Sequence, residues 1–276
     1  MQGARFITPE IKLSVLEAKY FKTEITLDEH VLVWLIEGES KVIQADTELV
    51  FKGGDIFLVP RNRLTTICNF PIDGKPHKAV AIHLSTKRLK SFYSNSTSQG
   101  KNGVRHTIPI YRDHALLSSF LGSLLPYFDI PNKLPEQIAD LKITEAIVIL
   151  REIDKGIDAV LANFDEPGKV DLISFMEKNY MFNMPLEKLG YLTGRSLSTF
   201  KRDFVKHFRT TPQRWLTQKR LELAYYQLSE MKRRPVDIYF EVGFENLSHF
   251  SFAFKKHFGM SPTELIDHKR DTDQYY

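Results

Sequence analysis

The sequence predicts an α+β protein of two domains: an N-terminal antiparallel β-barrel followed by helices, then an all-α C-terminal domain. Three observations carry that expectation. Short apolar runs separated by turn residues fill the stretch from 20 to 85. Helical periodicity replaces them from about residue 111. The last third of the chain then repeats itself at an offset of 50 residues.

The strands come first. Val31 to Ile36 is an unbroken apolar run, and Glu37 to Ser40 is a turn. Lys41–Gln44 and Glu48–Phe51 read as strands ahead of a turn at Gly53-Gly54-Asp55. Ile56–Val59 is stopped by Pro60, and Ala79–Leu84 is a further strand. Short strands with regular punctuation suggest a small antiparallel sandwich or barrel, here about residues 10–110. Trp34, Ile36, Ile56 and Leu58 are expected to point into or across it, where they either fill the interior or line an effector cavity. Ser94 to Gly103 reads as a polar loop.

Helices follow over about 111–162. Leu117, Phe120, Leu121, Leu124, Leu125 and Phe128 recur at helical spacing. Pro131 and Pro135 bracket a break. Ile138, Leu141, Ile149, Ile153, Ile157 and Leu161 fall on a second, longer helical stretch. Asp165-Glu166-Pro167-Gly168 punctuates the chain, which places a domain boundary there and gives domains 1–166 and 167–276.

Composition narrows the class. The net charge of +4 is unevenly spread: from Lys169 onward 18 Lys and Arg face 13 Asp and Glu, whereas the rest is close to neutral. That directs attention to the C-terminal end as a polyanion surface. The single cysteine, Cys68, cannot form an internal disulfide and favours a reducing compartment. No run reaches bilayer-spanning length, and Met1 to Lys22 lacks a signal-peptide core. A cytoplasmic protein without membrane association is expected. HExxH, GxxxxGK[ST], GxSxG and paired zinc-type cysteines are all missing, so no enzyme, cofactor or metal site is expected.

The repeat carries the functional expectation. Pro185, Leu197, Ser198, Phe200, Phe204, Lys206, His207, Phe208 and Pro212 recur as Pro235, Leu247, Ser248, Phe250, Phe254, Lys256, His257, Phe258 and Pro262. In each copy three phenylalanines at i, i+4 and i+8 form one apolar stripe on a helix. Leu186, Leu189 and Leu192 precede the first, with Gly194 as the turn; Val236, Ile238 and Val242 precede the second, with Gly243 as the turn. Ser196 or Ser198, and Asn246 or Ser248, can cap the following helix. Each copy is therefore helix, tight turn, helix, at about 185–208 and 235–258, the arrangement whose second helix enters a major groove.

The positions turned away from the stripes suit double-stranded DNA. They are Ser196, Ser198, Thr199, Lys201 and Arg202 in the first copy. In the second they are Asn246, Ser248, His249, Ser251, Phe252, Lys255 and Lys256. Hydroxyls and long cations offer contacts to base edges and phosphates. Phe252 is free either to meet a thymine methyl or to pack on a neighbouring helix. Between the copies, Gln213 to Glu230 reads as one helix started by Pro212, with Trp215, Leu216, Leu223, Ala224 and Leu228 on its buried face. Such a helix spans roughly 27 Å, against about 34 Å between successive major grooves.

Arg220-Leu221-x-x-Ala224, then Gly243-Phe244, Phe250, Phe254-Lys255-Lys256, Phe258-Gly259 and Ser261-Pro262, resemble the signature of AraC/XylS-type transcription regulators. The resemblance covers about Val170 to Arg270. It implies a seven-helix DNA-binding unit with two helix-turn-helix motifs, and a sequence-specific transcription regulator. Two positions depart from the pattern: Tyr239 stands where a small Ala is usual, with Gly190 in the matching place of the first copy, and Phe252 stands where a polar residue is frequent. The strands of 20–85, with Gly38-Glu39 and Gly53-Gly54-Asp55 ahead of Pro60, resemble the cupin-like barrel that often precedes this unit. That implies a small-molecule effector, a protein partner or a second copy of the chain.

The competing expectation is a metal-dependent cupin enzyme with a helical appendage. It needs a His and carboxylate cluster for iron or manganese. The usual ligand position falls near Leu64, Thr65 and Thr66, and His30, His77 and His83 are scattered. A homodimer is expected from the helical region. Leu116, Leu117, Phe120, Leu121, Leu124 and Leu125, then Ile147 to Leu150, crowd more apolar positions than one face needs.

Overall fold

The computed structural model describes residues 2–17, 21–44, 47–94, 107–112, 114–130 and 135–273. They fall into two compact units, Met1–Glu166 and Pro167–Tyr276.

Among the described residues the first unit has ten strands: β1 (Gln2–Thr8), β2 (Ile11–Leu16), β3 (Phe21–Thr26), β4 (His30–Glu37), β5 (Glu39–Gln44), β6 (Thr47–Lys52), β7 (Ile56–Val59), β8 (Leu64–Phe70), β9 (His77–Leu84) and β10 (Ile110–Tyr111). They form two antiparallel sheets, β1-β2-β9-β4-β7-β10 and β3-β8-β5-β6. Among the described residues the edge strands are β1 and β10 in one sheet and β3 and β6 in the other.

The six-stranded sheet is apolar on both faces, which is why Val31 to Ile36 has no polar alternation. One face carries Leu32, Ile56, Leu58, Val80 and Ile82 against the helices; the other carries Leu35, Phe57, Val59 and Ala79 against Val42 and Phe51 of the second sheet. Phe51 and Phe57 stack with ring centroids 3.7 Å apart. Trp34, Ile36, Ile56 and Leu58 therefore correct the sequence expectation. All four share the helix-facing parity and none points between the sheets. Successive side chains alternate faces, and a strand buried on both gives no sign of which parity is inward.

A helix unforeseen in the sequence, α1 (Thr86–Ser94), follows β9 and buries Leu89 and Tyr93. Next come α2 (Ala115–Leu124), a 3₁₀ turn at Leu125–Asp129, α3 (Glu136–Ile153) and α4 (Asp158–Leu161). Pro131 and residues 95–103 of the expected loop lie outside the described residues. The second helical stretch is two helices, broken where Asp154 Oδ1 accepts from the Gly156 amide at 3.0 Å. Ile157 and Leu161 are buried as expected and Ile149 and Ile153 pack partly buried, but the most buried face of α3 is offset from the expected one. Ala139, Ile143, Ala146, Ile147 and Leu150 point inward, and Leu141 is 69% exposed. Tyr93 donates to Asp158 at 2.5 Å, and Arg151 grips the same carboxylate, tying α1, α3 and α4 together.

Among its described residues the second unit holds seven helices: α5 (Leu172–Asn179), α6 (Leu186–Leu192), α7 (Leu197–Phe208), α8 (Pro212–Ser229), α9 (Pro235–Ile238), α10 (Leu247–Phe258) and α11 (Pro262–Asp273). The N-caps of α5, α7, α8 and α10 are Asp171, Ser196, Thr211 and Asn246, each accepting from a backbone amide three residues on. Gly194 and Gly243 both adopt the left-handed backbone, at φ 65° and 87°. A Cβ at Gly194 would lie 2.6 Å from the Gly168 carbonyl oxygen. The second copy departs from the first at its opening helix: α9 has 4 residues where α6 has 7. Gly190 in α6 packs close, with a built Cβ 3.5 Å from Phe200 Cβ. Tyr239, in the matching place, follows the end of α9 and packs partly buried against the core of the second copy. Among the described residues no helix is long and apolar enough to cross a membrane.

Candidate nucleic-acid interface

The inner face of α7 is an aromatic ladder. Phe200 and Phe204 are fully buried, and Phe204 and Phe208 stack at 4.2 Å. Trp215 of α8 closes the ladder, 5.6 Å from Phe204 and 4.8 Å from Phe208. The second copy repeats the construction. Phe250 and Phe254 are fully buried, Phe254 meets Phe258 at 4.7 Å, and Tyr225 of α8 sits 4.9 Å from Phe258. One helix thus supplies an aromatic cover to each ladder.

With the stripes inward, the opposite faces are fixed outward. Ser196, Ser198, Lys201 and Arg202 are exposed and Thr199 is half-buried. Ser196 is committed to its cap, accepting from the Thr199 amide, and its Oγ donates to Thr199 Oγ1 at 3.0 Å. On the second copy Asn246, Ser248, His249, Phe252, Lys255 and Lys256 are exposed, and Ser251 is half-buried. Asn246 accepts from the His249 amide at 2.7 Å, and the His249 ring meets Phe244 edge-on. Lys255 lies 3.8 Å from Glu264, an exposed pair of little energetic weight. Each group of candidates lies on the helix side opposite its phenylalanine stripe; Asn246, Ser248 and His249 sit at the start of α10, and Lys255 and Lys256 lie in its last turn.

Two residues that sequence reasoning passed over hold this geometry. Arg220 projects from α8 and is buried. Its Nε donates to the Tyr180 carbonyl at 3.0 Å and Nη2 to the Phe182 carbonyl at 2.8 Å, both between α5 and α6. Its Nη1 donates to the Gly243 carbonyl at 3.1 Å, in the turn of the second copy. One guanidinium thereby brackets the two halves together, and Gly243 is required because a Cβ there would lie 2.7 Å from Arg220 Nε. The sequence signal was its place in Arg220-Leu221-x-x-Ala224.

The second is Arg195, directly after Gly194. Its Nη1 donates to the Thr193 and Val170 carbonyls, and its Nε donates to Asp203 of α7 at 3.1 Å. That hydrogen bond, with Lys169 and Arg202 nearby, holds the Asp203 carboxyl below the usual carboxylate range. Arg202 stays 75% exposed, touching Asp203 only at 3.5 Å.

His30, His77 and His83 lie in separate surroundings. His77 is buried with Nε2 2.8 Å from Ser40 Oγ, and burial lowers it to about 4. His30 accepts from the Arg61 amide at Nδ1, and burial beside Arg61 and Arg63 lowers it to about 3. His83 lies 3.6 Å from Glu29. Among the described residues no three His, Cys, Asp or Glu side chains are grouped to hold a metal ion.

A duplicated helix-turn-helix with capped, outward-facing second helices, joined to a two-sheet unit, defines a DNA-binding transcription regulator with a separate regulatory part. The chain belongs to the AraC/XylS-type transcription regulators. Residues 192–268 match the family described as a helix-turn-helix domain, and residues 30–158 match that described as the ExsA N-terminal regulatory domain. The chain is 25% identical over 271 residues to the HTH-type transcriptional regulator ExsA of Pseudomonas aeruginosa, covering 95% of each chain. It is 26% identical to the virulence regulon transcriptional activator VirF of Yersinia enterocolitica over 165 residues, 59% of this chain and 60% of VirF. Among solved structures, a point variant of ToxT from Vibrio cholerae in its apo form aligns over 94% of this chain and 97% of its own, at 13% identity and a TM-score of 0.45.

Proposed function

We propose that this regulator reads operator DNA with α7 and α10 in two successive major grooves, with α8 as the spacer between them. The observation that carries the reading is the repeated orientation: each aromatic ladder is buried against α8, which leaves the polar and cationic face of each second helix in solvent. Lys201 and Arg202, and Lys255 and Lys256, are assigned to phosphates and base edges. Ser198, Thr199, Ser248, His249 and Ser251 are assigned to polar contacts, and the Ser196 and Asn246 caps to fixing the helix N-termini against the backbone. Selecting bound duplexes from a random library with the full chain tests the reading. A defined sequence is expected, bound with steep salt dependence. Binding to no duplex would overturn it.

Arg202→Ala is expected to weaken specific binding by about 1–3 kcal/mol, the worth of a bidentate contact to guanine. The fold should persist, since Arg202 contributes only a long, exposed contact to Asp203. A titration at fixed salt, with circular dichroism as control, measures both. Unchanged affinity for the selected site would remove Arg202 from the interface.

We assign the first unit to regulation in the cytoplasm, with activation of transcription as the output and no catalytic step. The similarity to VirF, a transcriptional activator, favours that direction. The alternative, a metal-dependent cupin enzyme, would require stoichiometric iron or manganese on the purified chain. An effector at Trp34, Ile36, Ile56 and Leu58 would have to displace packed helices. A cavity of about 650 Å³ between the β1–β2 turn, α1 and α3, lined by Thr8, Glu10, Arg88, Glu136 and Asp140 among others, offers an open alternative.

Dimerisation is assigned to the helices of the first unit. Most of their crowded apolar positions are satisfied internally, by the sheet and by each other. Leu116, Leu141 and Val148 remain in solvent, and the last two lie seven residues apart on one face of α3. A concentration-dependent rise from monomer to dimer mass in light scattering is expected, lost in a Leu141→Glu, Val148→Glu double variant. A monomer at every concentration, with one chain per operator, would discard it.

A further inference from the structure

We propose that Phe252 reads a thymine methyl group in the second major groove, so that the two readers of one chain recognise different bases by different chemistry. The inference rests on the DNA-reading assignment above and goes further by naming a base.

The repeat supplies the first argument. Phe252 is the sixth residue of α10, as Arg202 is the sixth residue of α7. The two positions are 50 residues apart, at the offset that aligns Phe200 with Phe250 and Phe204 with Phe254. Where the first reader presents a guanidinium, the second presents a phenyl ring.

Exposure supplies the second. Phe252 is 68% exposed, the most exposed phenylalanine among the described residues. At 100° per residue it lies about 200° around the helix from both Phe250 and Phe254, away from the ladder they form. It borders a shallow cavity of about 390 Å³ together with Ser251, Lys255, Lys256 and Ser261. A large ring on this face, flanked by two ammonium groups and two hydroxyls, contributes nothing to the core of its own unit.

Chemistry selects the partner. A phenyl ring has no hydrogen bond to give a base edge. The C5-methyl of thymine is the apolar group that a DNA major groove offers, and cytosine, guanine and adenine present only donors and acceptors there. Lys255 and Lys256 bring positive charge beside the ring, complementary to the phosphates on either side of the groove. The first reader then favours guanine through Arg202, and the second favours thymine through Phe252.

The test uses the full chain and the duplex it selects from a random library. Each thymine of the second sub-site is replaced singly by deoxyuridine, which removes the methyl and keeps the pairing. Wild type is expected to lose about fourfold in affinity at one position, the worth of one buried methyl group. Phe252→Ala is expected to bind thymine and deoxyuridine equally there, with unchanged thermal melting. Phe252→Arg is expected to prefer guanine at that position. Equal responses of wild type and Phe252→Ala to every replacement would overturn the proposal, as would a lowered melting point of Phe252→Ala, which would place the ring in packing. Failure to select any sequence would overturn the underlying DNA reading as well, and so is distinguishable from loss of the methyl effect alone.

Discussion

Phe254→Ala is expected to destabilise the C-terminal unit by about 3–5 kcal/mol and to abolish DNA binding through loss of the fold. The ring is fully buried among Leu221, Ala224, Leu228, Ile238, Val242, Phe244, Phe250 and Leu265. It also touches Phe250, Phe258 and Tyr225 in the ladder of the second copy. Truncation removes those contacts and leaves a cavity at the junction of α8, α10 and α11, which close packing fills only in part. Chemical denaturation of the full chain should show an early transition from this unit and a second from the β unit, since each is compact in itself. Phe254→Leu should lose less, because most of the volume is kept. A variant that melts like wild type would reverse the assignment of inner and outer faces of α10.

Arg220→Ala is expected to cost at least about 3 kcal/mol, by a different route. The guanidinium donates to the carbonyls of Tyr180, Phe182 and Gly243. Hydrogen bonds from a charged donor are worth about 1.5–3 kcal/mol each, and carbonyls left without a donor in the interior carry a penalty of about 1–3 kcal/mol. Arg220→Lys should recover little, because one ammonium cannot reach three divergent acceptors. Both variants should lower cooperativity between the two halves of the C-terminal unit. Hydrogen exchange at the amides of 180–183 and 243–244 reports this locally. Protection equal to wild type at both segments would show that the bracket is not what joins them.

The C-terminal unit was largely legible because its signals agree with each other. Phenylalanine spacing, capping side chains at Ser196 and Asn246, and glycines at Gly194 and Gly243 all specify the same helices and turns. The buried arginines were not legible. Apart from the place of Arg220 in Arg220-Leu221-x-x-Ala224, nothing in local sequence distinguishes Arg220 or Arg195, which bind carbonyls, from Arg202, which faces solvent. Folding brings residues 180–183 and 243 to Arg220 from opposite directions along the chain. In the β unit, β4, β5, β6, β7 and β9 were legible and their faces were not, whereas β8 was not singled out. Val31 to Ile36 is apolar at every position because both faces are covered, so Trp34 and Ile36 could not be placed by alternation. β1 escaped notice because four of its residues from Gly3 to Phe6 are exposed and only Ile7 and Thr8 are buried. α1 escaped because Leu89 and Tyr93 are its only two buried positions.

The continuous helix α8 has a consequence for how this gene can change. It carries Trp215 to one ladder, Arg220 to the bracket and Tyr225 to the other ladder within 18 residues. Each added residue would advance everything beyond it by about 1.5 Å and turn it by about 100°. An in-frame insertion or deletion of one codon between those for Trp215 and Tyr225 would therefore leave at least one of the three pointing away from its target. Substitutions on the outward side, at Gln218 or Glu222, disturb none of them. Length in this segment is held more tightly than composition, and relatives that keep both readers in register are expected to keep the interval from Trp215 to Tyr225 while their surface residues drift.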